Sequence, residues 1–419
     1  MGQLIVPRPT TSALAGWMER ITDALHAHGE VGLVTATVLS TKEKSNDRWA
    51  DYEAMVHEAA AFVQHFVSKR LRQSDLLLEP ILSGNTHVLV ISPPRDGRAL
   101  TQDDVDRVAK RLQDEIRVHL DVQLRPETLD RYGLFVGQSI LTDRPDADAE
   151  ALIYHGIEEA QARASTRRRA AHRENAAALH ELLDQQDVSV VYQPLIDTID
   201  KRVLGYEALT RTSHERFQSP ETLFRTAADE GSLWALERIC RNCALQNLPA
   251  LESDQKLFLN VEPETFHDPE LQSESFLEAI QQAGLQPSRV VFELTERAAV
   301  RDFVAMRRIL ARLRGLGFPL ALDDVGSGYA GLQTIAEIQP DYLKIDMAIV
   351  RNLHRHAVRR ELIRAICDFS QRTSTTLIAE GVETLDELET LVANGVRCVQ
   401  GFLVARPSSS PDTPDWDRF

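Results

Sequence analysis

Apolar and polar positions along this chain fall into two successive patterns. In the N-terminal half, Val31 to Leu39 reads as a strand, Trp49 to Leu71 as a helix, and Leu76 to Ile91 as two strands about a turn at Ser83-Gly84-Asn85-Thr86-His87. Val105 to Leu120 then reads as a helix and Tyr132 to Leu141 as a strand. The order β-α-β-β-α-β is the ferredoxin-like α+β plan. The C-terminal half carries eight short extended segments separated by helical or loop stretches: Val188 to Leu195, Val203 to Thr210, Lys256 to Val261, Val290 to Leu294, Pro319 to Val325, Tyr342 to Ile345, Thr376 to Glu380 and Cys398 to Leu403. That repetition predicts a TIM-like (β/α)8 barrel. Ile196 to Arg202 is too short for a parallel crossover, so the first two strands are expected to pair antiparallel.

Between about residues 160 and 187 the chain turns charged and Ala-rich, which predicts a long helix joining two domains. The expected division is an N-terminal domain over 1–165, a helical linker over 166–187, the barrel over 188–410 and a polar tail over 411–419. The Pro-rich run from Ser408 to Asp415 is expected to be mobile. Arg167 to Arg169 reads as a solvated helix face.

At 419 residues and 43% hydrophobic content, both halves can bury a core. The apolar runs stop far short of the roughly 20 residues that span a bilayer, and the N-terminus lacks the features of a secretory signal. A cytoplasmic protein is expected, with no membrane partner. Four cysteines do not make a disulfide framework. Cys240 and Cys243 lie three apart on an apolar-periodic segment, where core thiols are the expectation rather than metal or redox ligands. A formal charge of −16 argues against nucleic-acid binding. A phosphate-bearing substrate would need local positive charge, such as a metal held by carboxylates.

Polar residues recur at the ends of the apolar barrel strands: Glu207, Asn260, Glu293 and Glu296, Asp323 and Asp324, Lys344, Glu380 and Gln400. In a barrel these ends converge on one mouth. Carboxylates so gathered need a compensating cation, and oxygen ligands select Mg²⁺ or Mn²⁺. Asp323-Asp324 can serve two ions, an arrangement suited to phosphodiester hydrolysis with Lys344 orienting the nucleophile or offsetting charge.

Tyr192-Gln193-Pro194 and Gly205-Tyr206-Glu207-Ala208-Leu209-Thr210-Arg211 resemble the opening of EAL domains, bacterial phosphodiesterases that linearise cyclic di-GMP to pGpG. Asn260-Val-Glu-Pro, Glu293-Leu-Thr-Glu296, Asp323-Asp324-Val-Gly326-Ser-Gly328, Lys344-Ile-Asp346, Glu380-Gly381-Val-Glu383 and Gln400-Gly401-Phe402 follow in the family's order, ending at Pro407. The resemblance implies Glu207, Asn260, Glu293 and Asp323 as ligands of a first Mg²⁺ or Mn²⁺, and Asp323, Asp324 and Glu380 as serving a second. It implies Lys344, Glu380 and Glu207 as catalytic and Gln193, Arg211, Gln400 and Pro407 as substrate contacts. Glu296, Gly326 and Gly328 would support the loop after the fifth strand. It further implies a homodimer through the EAL domain. Val325, Thr212 and Ala348-Ile349 depart from the usual pattern at positions that are not ligands. The alternative is an inactive EAL receptor that binds cyclic di-GMP and acts through a partner.

The N-terminal half resembles a degenerate GGDEF domain. The segment around Ser83-Gly84-Asn85-Thr86-His87 lacks the signature, and Val31 to Leu39 carries no aspartate for a nucleotide's metal, so a regulatory role is implied. Arg72-Gln-Ser-Asp75 imitates the family's inhibitory product-binding motif and is expected to be a surface ion pair.

Overall fold

The computed structural model describes residues 11–40, 49–71, 75–81, 85–94, 98–124, 128–129, 132–144, 146–217, 219–295, 303–325, 331–411 and 414–416. The chain forms two compact units, Met1–Ala178 and Leu179–Phe419.

In the first unit, β1 (Glu30–Ser40), β2 (Leu76–Ile81), β3 (Thr86–Ile91) and β4 (Tyr132–Thr142) form one sheet in the order β2-β3-β1-β4, every pair antiparallel. This is the expected ferredoxin-like plan. Alternation along β1 sends Val34, Ala36 and Val38 to one face, where they pack with Met55, Phe62 and Phe66 of helix Trp49–Arg70 and Leu112 and Ile116 of helix Gln102–Gln123. Val31 and Leu33 face the other way, onto Ile21 and Leu25 of helix Thr11–His28 and Ile153 and Ile157 of helix Ala149–Gln185. The N-terminal helix was not expected; its signal is the apolar pair at i, i+4.

The helix Ala149–Gln185 starts before the expected junction helix, because Ile153, Ile157, Ala160 and Ala164 make a buried stripe at i, i+4, i+7 and i+11. It lies close on the sheet: a side chain at Gly137 of β4 would overlap the Ala160 carbonyl. Gly137→Val is therefore expected to destabilise the first unit by about 1–3 kcal/mol. A calorimetric scan with an unchanged transition for that unit would disprove the contact. The arginine run is not simply solvated: Arg167 donates to Val136 O (2.6 Å) and Arg168 to Ser40 O (3.0 Å). Between Ala164 and Ala178 no side chain is buried, so the helix there rests on the propensity of its Ala and Arg residues.

Asp75 is also not at the surface. It is buried and its carboxylate accepts from Ser92 N–H at 2.9 Å, whereas Arg72 lies outside the described residues. His87 is buried and burial pushes its imidazole down to about 4, so it stays neutral.

In the second unit, β5 (Ser189–Asp197), β6 (Arg202–Arg211), β7 (Lys256–Asn260), β8 (Val290–Thr295), β9 (Leu320–Val325), β10 (Tyr342–Ile345), β11 (Thr376–Ala379) and β12 (Cys398–Val399) close a barrel. β5 is antiparallel to both its neighbours, β6 and β12, and the other pairs are parallel. The expected antiparallel start is present. Alternate residues point inward: Leu195, Phe258, Val291, Ala321, Tyr342, Ile378 and Cys398 form an apolar interior layer. Their neighbours, such as Leu257, Leu259, Phe292, Leu322, Leu343 and Leu377, face outward into the core beneath the helices.

The C-terminal segment is docked rather than mobile. Tyr192 and Ser408 exchange backbone hydrogen bonds (N to O 2.8 and 3.0 Å), Pro414 is buried and Trp416 packs against the barrel core. An aromatic ring and a prolyl ring bury enough apolar surface to hold a segment whose composition is otherwise polar. Among the described residues, no helix is long and apolar enough to cross a membrane.

Candidate active site

Two residues beyond each member of the apolar interior layer, toward the mouth, stands a polar one. Phe258 is followed by Asn260, Val291 by Glu293, Ala321 by Asp323, Tyr342 by Lys344, Ile378 by Glu380 and Cys398 by Gln400. β5 runs the other way, so there the polar residue precedes: Gln193 before Leu195. The strand period of two thus lifts a ring of hydrogen-bonding and charged groups one rung above a dry layer.

Lys344 is fully buried at the centre of this ring. Its Nζ lies 2.6 Å from Glu380 Oε1, 3.0 Å from Glu293 Oε1, 3.3 Å from Glu207 Oε2 and 3.5 Å from Asp323 Oδ1. Glu207 also accepts from Asn260 Nδ2 (2.8 Å) and Gln400 Nε2 (2.7 Å). Gln400 Nε2 donates as well to Gln193 Oε1 (3.0 Å), and Gln193 Nε2 to Ala405 O (3.1 Å). Of the expected substrate contacts, Gln193 and Gln400 therefore join the ring directly. Arg211 folds onto Thr210 O (2.8 Å) and, with Asn260 and Glu293, lines a cavity of about 210 Å³. Pro407 lies between Ala405 and the bridged Ser408. Glu296, Gly326 and Gly328 lie outside the described residues.

Asp323 and Asp324 owe their convergence to an irregular ladder. Leu343 pairs with Leu322 and Ile345 with Val325, so two aspartates stand opposite the single Lys344. This is a β-bulge, and Asp324 adopts φ 58°, in the left-handed region, at a cost of roughly 1–2 kcal/mol. Regular alternation would send adjacent carboxylates to opposite faces. Here Asp323, Asp324 and Glu380 bring one carboxylate oxygen each within 4.8 Å of one another.

One ammonium among four carboxylates leaves a surplus of negative charge. Burial, then the charge of Glu207, holds the Glu293 carboxyl well above the usual range, with Asp323 and Glu380 adding and Lys344 opposing. Burial and then Asp323 hold Glu380 well above it too, and burial outweighs Lys344 to raise Asp323. Glu207 goes the other way: burial pushes it up, but the charge of Lys344 and the hydrogen bonds from Gln400, Asn260 and Lys344 prevail. For Lys344 itself burial opposes the charge, but Asp323, Glu207, Glu293 and Glu380 together hold its pKa well above normal.

Residues 176–407 match the EAL domain family. The chain belongs to that family. Its relatives include the bifunctional diguanylate cyclase/cyclic di-GMP phosphodiesterase MucR of Pseudomonas aeruginosa, 26% identical over 361 residues, a match covering 81% of this chain and 51% of MucR. The cyclic di-GMP phosphodiesterase NbdA of the same organism is 28% identical over 361 residues, covering 84% of this chain and 41% of NbdA. The chain thus spans about half or less of the length of these relatives. Among solved structures, a standalone versatile EAL protein from Vibrio cholerae in its c-di-GMP-bound form is 30% identical with a TM-score of 0.50, covering 55% of this chain and 97% of that one.

The donor set of this EAL domain fits hard divalent cations. Its oxygens are carboxylates and an amide, their charge exceeds what Lys344 offsets, and Gln400 Oε1 is buried with no hydrogen-bond partner among the described residues. The C-x-x-C does not belong to the site. Burial pushes the Cys240 thiol up to about 12, and the Cys243 thiol donates to Val188 O at 3.4 Å.

Sequence reading missed a buried charged cluster beside the EAL domain's mouth: Glu237, Arg241 and Asp268, each at most 4% exposed. Its signal was present, since Glu237 and Arg241 share the apolar face of helix Leu233–Gln246 with Leu233, Leu236, Cys240 and Ala244.

Proposed function

We propose that the chain is a metal-dependent phosphodiesterase that hydrolyses cyclic di-GMP to linear pGpG. The observation that carries this reading is the ring of Glu207, Glu293, Asp323 and Glu380 about the buried Lys344, with Asp324 brought to the same mouth. Asn260, Glu207, Glu293 and Asp323 would hold one Mg²⁺ or Mn²⁺, and Asp323, Asp324 and Glu380 a second. Such ions, when bound, activate water and stabilise charge developing on the phosphate.

The chain's own groups bind and orient. Lys344 Nζ donates hydrogen bonds, holding the attacking water and offsetting negative charge at the phosphate. Glu380, the carboxylate nearest that ammonium, would accept the proton the water sheds as its oxygen bonds to phosphorus. The P–O3′ bond breaks with that proton passing on to the departing ribose O3′, which leaves as the 3′-hydroxyl of pGpG. Gln193 and Gln400 fix each other and the Glu207 carboxylate, so the amide pair presents a rigid edge to the substrate. The Arg211 guanidinium turns its fork of donors to a phosphate oxygen. The test is direct: with Mg²⁺ or Mn²⁺ the protein is expected to convert cyclic di-GMP to pGpG, followed by chromatography. Binding without turnover would instead favour a receptor.

The first unit reads as a degenerate GGDEF-like regulatory module. At the start of β3, Thr86 Oγ1 donates to Thr37 Oγ1 (3.2 Å) and the neutral His87 is buried, so these two described residues of the signature segment offer no carboxylate to a nucleotide's metal; Ser83 and Gly84 lie outside the described residues.

The EAL domain works as a homodimer in this reading. On helix Ala357–Thr373, Val358, Leu362, Ala365 and Phe369 follow four-three-four spacing on the outer face, with Val358 84% exposed and Leu362 and Phe369 45% and 38%. Flanking charges of both signs, Glu361 paired with Arg364 at 2.6 Å and Asp368 beyond, suit a self-complementary contact. Leu362→Lys with Phe369→Glu is expected to shift the protein to monomer in analytical ultracentrifugation. A wild-type monomer at tens of micromolar would refute the dimer.

A further inference from the structure

The geometry points to Glu237 as a positioning residue that fixes Asn260 for metal binding, because its buried carboxylate grips the backbone two residues past Asn260 while its own helix anchors the far end of the same excursion. This inference rests on the metal-dependent reading above. β7 ends at Asn260, and the segment Val261 to Asp268 then leaves the barrel through the short helix Pro263–His267. The first N–H after the strand, that of Val261, reaches Glu293 O at 3.0 Å on the neighbouring strand. The next, that of Glu262, has no strand to pair with and donates to Glu237 Oε1 at 2.8 Å. Pro263 has no N–H to place.

The far end of the excursion is held from the same helix. Arg241 NH1 pairs with Glu237 Oε2 (3.2 Å) and its NH2 with Asp268 Oδ2 (3.4 Å). Arg238 grips Asp268 through both oxygens, at 2.9 and 2.5 Å. Positions 237, 238 and 241 thus clamp both ends of the loop that begins at Asn260, and Asn260 Nδ2 then meets Glu207 Oε1 at 2.8 Å. An amide that donates through Nδ2 keeps its Oδ1 as the ligand atom. Burying a carboxylate and a guanidinium here is a poor route to stability compared with apolar side chains of the same size, so geometry is what the pair supplies. Groups that orient a metal's ligands typically govern affinity about 10–100-fold.

Mn²⁺ affinity of the full chain, measured by electron paramagnetic resonance beside a thermal melt, tests this. Glu237→Gln keeps an oxygen acceptor for Glu262 N–H and is expected to bind Mn²⁺ within about threefold of wild type. Glu237→Ala removes it and is expected to lose about 10–100-fold. Leu236→Ala, a cavity in the same helix away from the clamp, is expected to lower the melting temperature at least as far while keeping wild-type Mn²⁺ affinity. Wild-type affinity in Glu237→Ala, or an equal loss in Leu236→Ala, would overturn the assignment. A wild-type protein that hydrolyses cyclic di-GMP with Mn²⁺ while Glu237→Ala binds the ion normally would overturn the positioning role alone. A wild type that binds no Mn²⁺ overturns the metal reading as well.

Discussion

Lys344→Met is expected to reduce cyclic di-GMP hydrolysis by at least about 10³-fold, with the loss in kcat rather than KM. The methionine fills the volume of a side chain that is fully buried, so the barrel should persist. What goes is the one ammonium facing Glu207, Glu293, Asp323 and Glu380. Without it those carboxylates repel one another more strongly, and the folded state comes to depend on divalent ions. The variant's melting temperature should accordingly rise more on adding Mn²⁺ than wild type's does. Retained turnover within tenfold of wild type would remove Lys344 from the chemistry.

Chelation is expected to have an effect of similar size. Treatment with EDTA should abolish turnover, and Mn²⁺ at a hundred times its dissociation constant should stabilise the chelated protein by about 2.7 kcal/mol. Asp324→Asn should lose part of that gain while keeping the barrel, because Asn tolerates the left-handed backbone that Asp324 adopts at φ 58°. A melting temperature indifferent to Mn²⁺ in the wild-type protein would be incompatible with the two-ion site.

Much of this architecture was legible because barrel strands are buried on both faces. Phe258, Val291 and Tyr342 face inward while Leu257, Phe292 and Leu343 face outward, so these strands show as short apolar runs with a polar residue toward the mouth end. That polar residue was therefore the signal for a candidate site: Asn260, Glu293, Lys344 and Glu380 each carry little weight singly, and it is their recurrence from strand to strand that points to one mouth. Features that depend on what a segment meets in space were not legible. The composition of Ser408 to Asp415 reads as solvated, yet Tyr192 offers Ser408 a backbone partner and the barrel core receives Trp416. Arg167 and Arg168 read as a charged surface, yet carbonyls at Val136 and Ser40 lie within reach of their long stems. Glu237 and Arg241 lie within a segment legible only as apolar-periodic, and the positions of Glu262 N–H and Asp268 reveal what they hold.

The extra residue in β9 sets a counting rule for the whole pocket. Removing one of the twin aspartates would let Leu322 to Val325 zip evenly against Leu343 to Ile345, relieve the left-handed kink and recover a regular ladder. The shortened protein should be the sturdier of the two and the poorer catalyst. A single missing codon there would silence the pocket while every other motif stayed legible, so the length of this one strand is as informative as the letters in it.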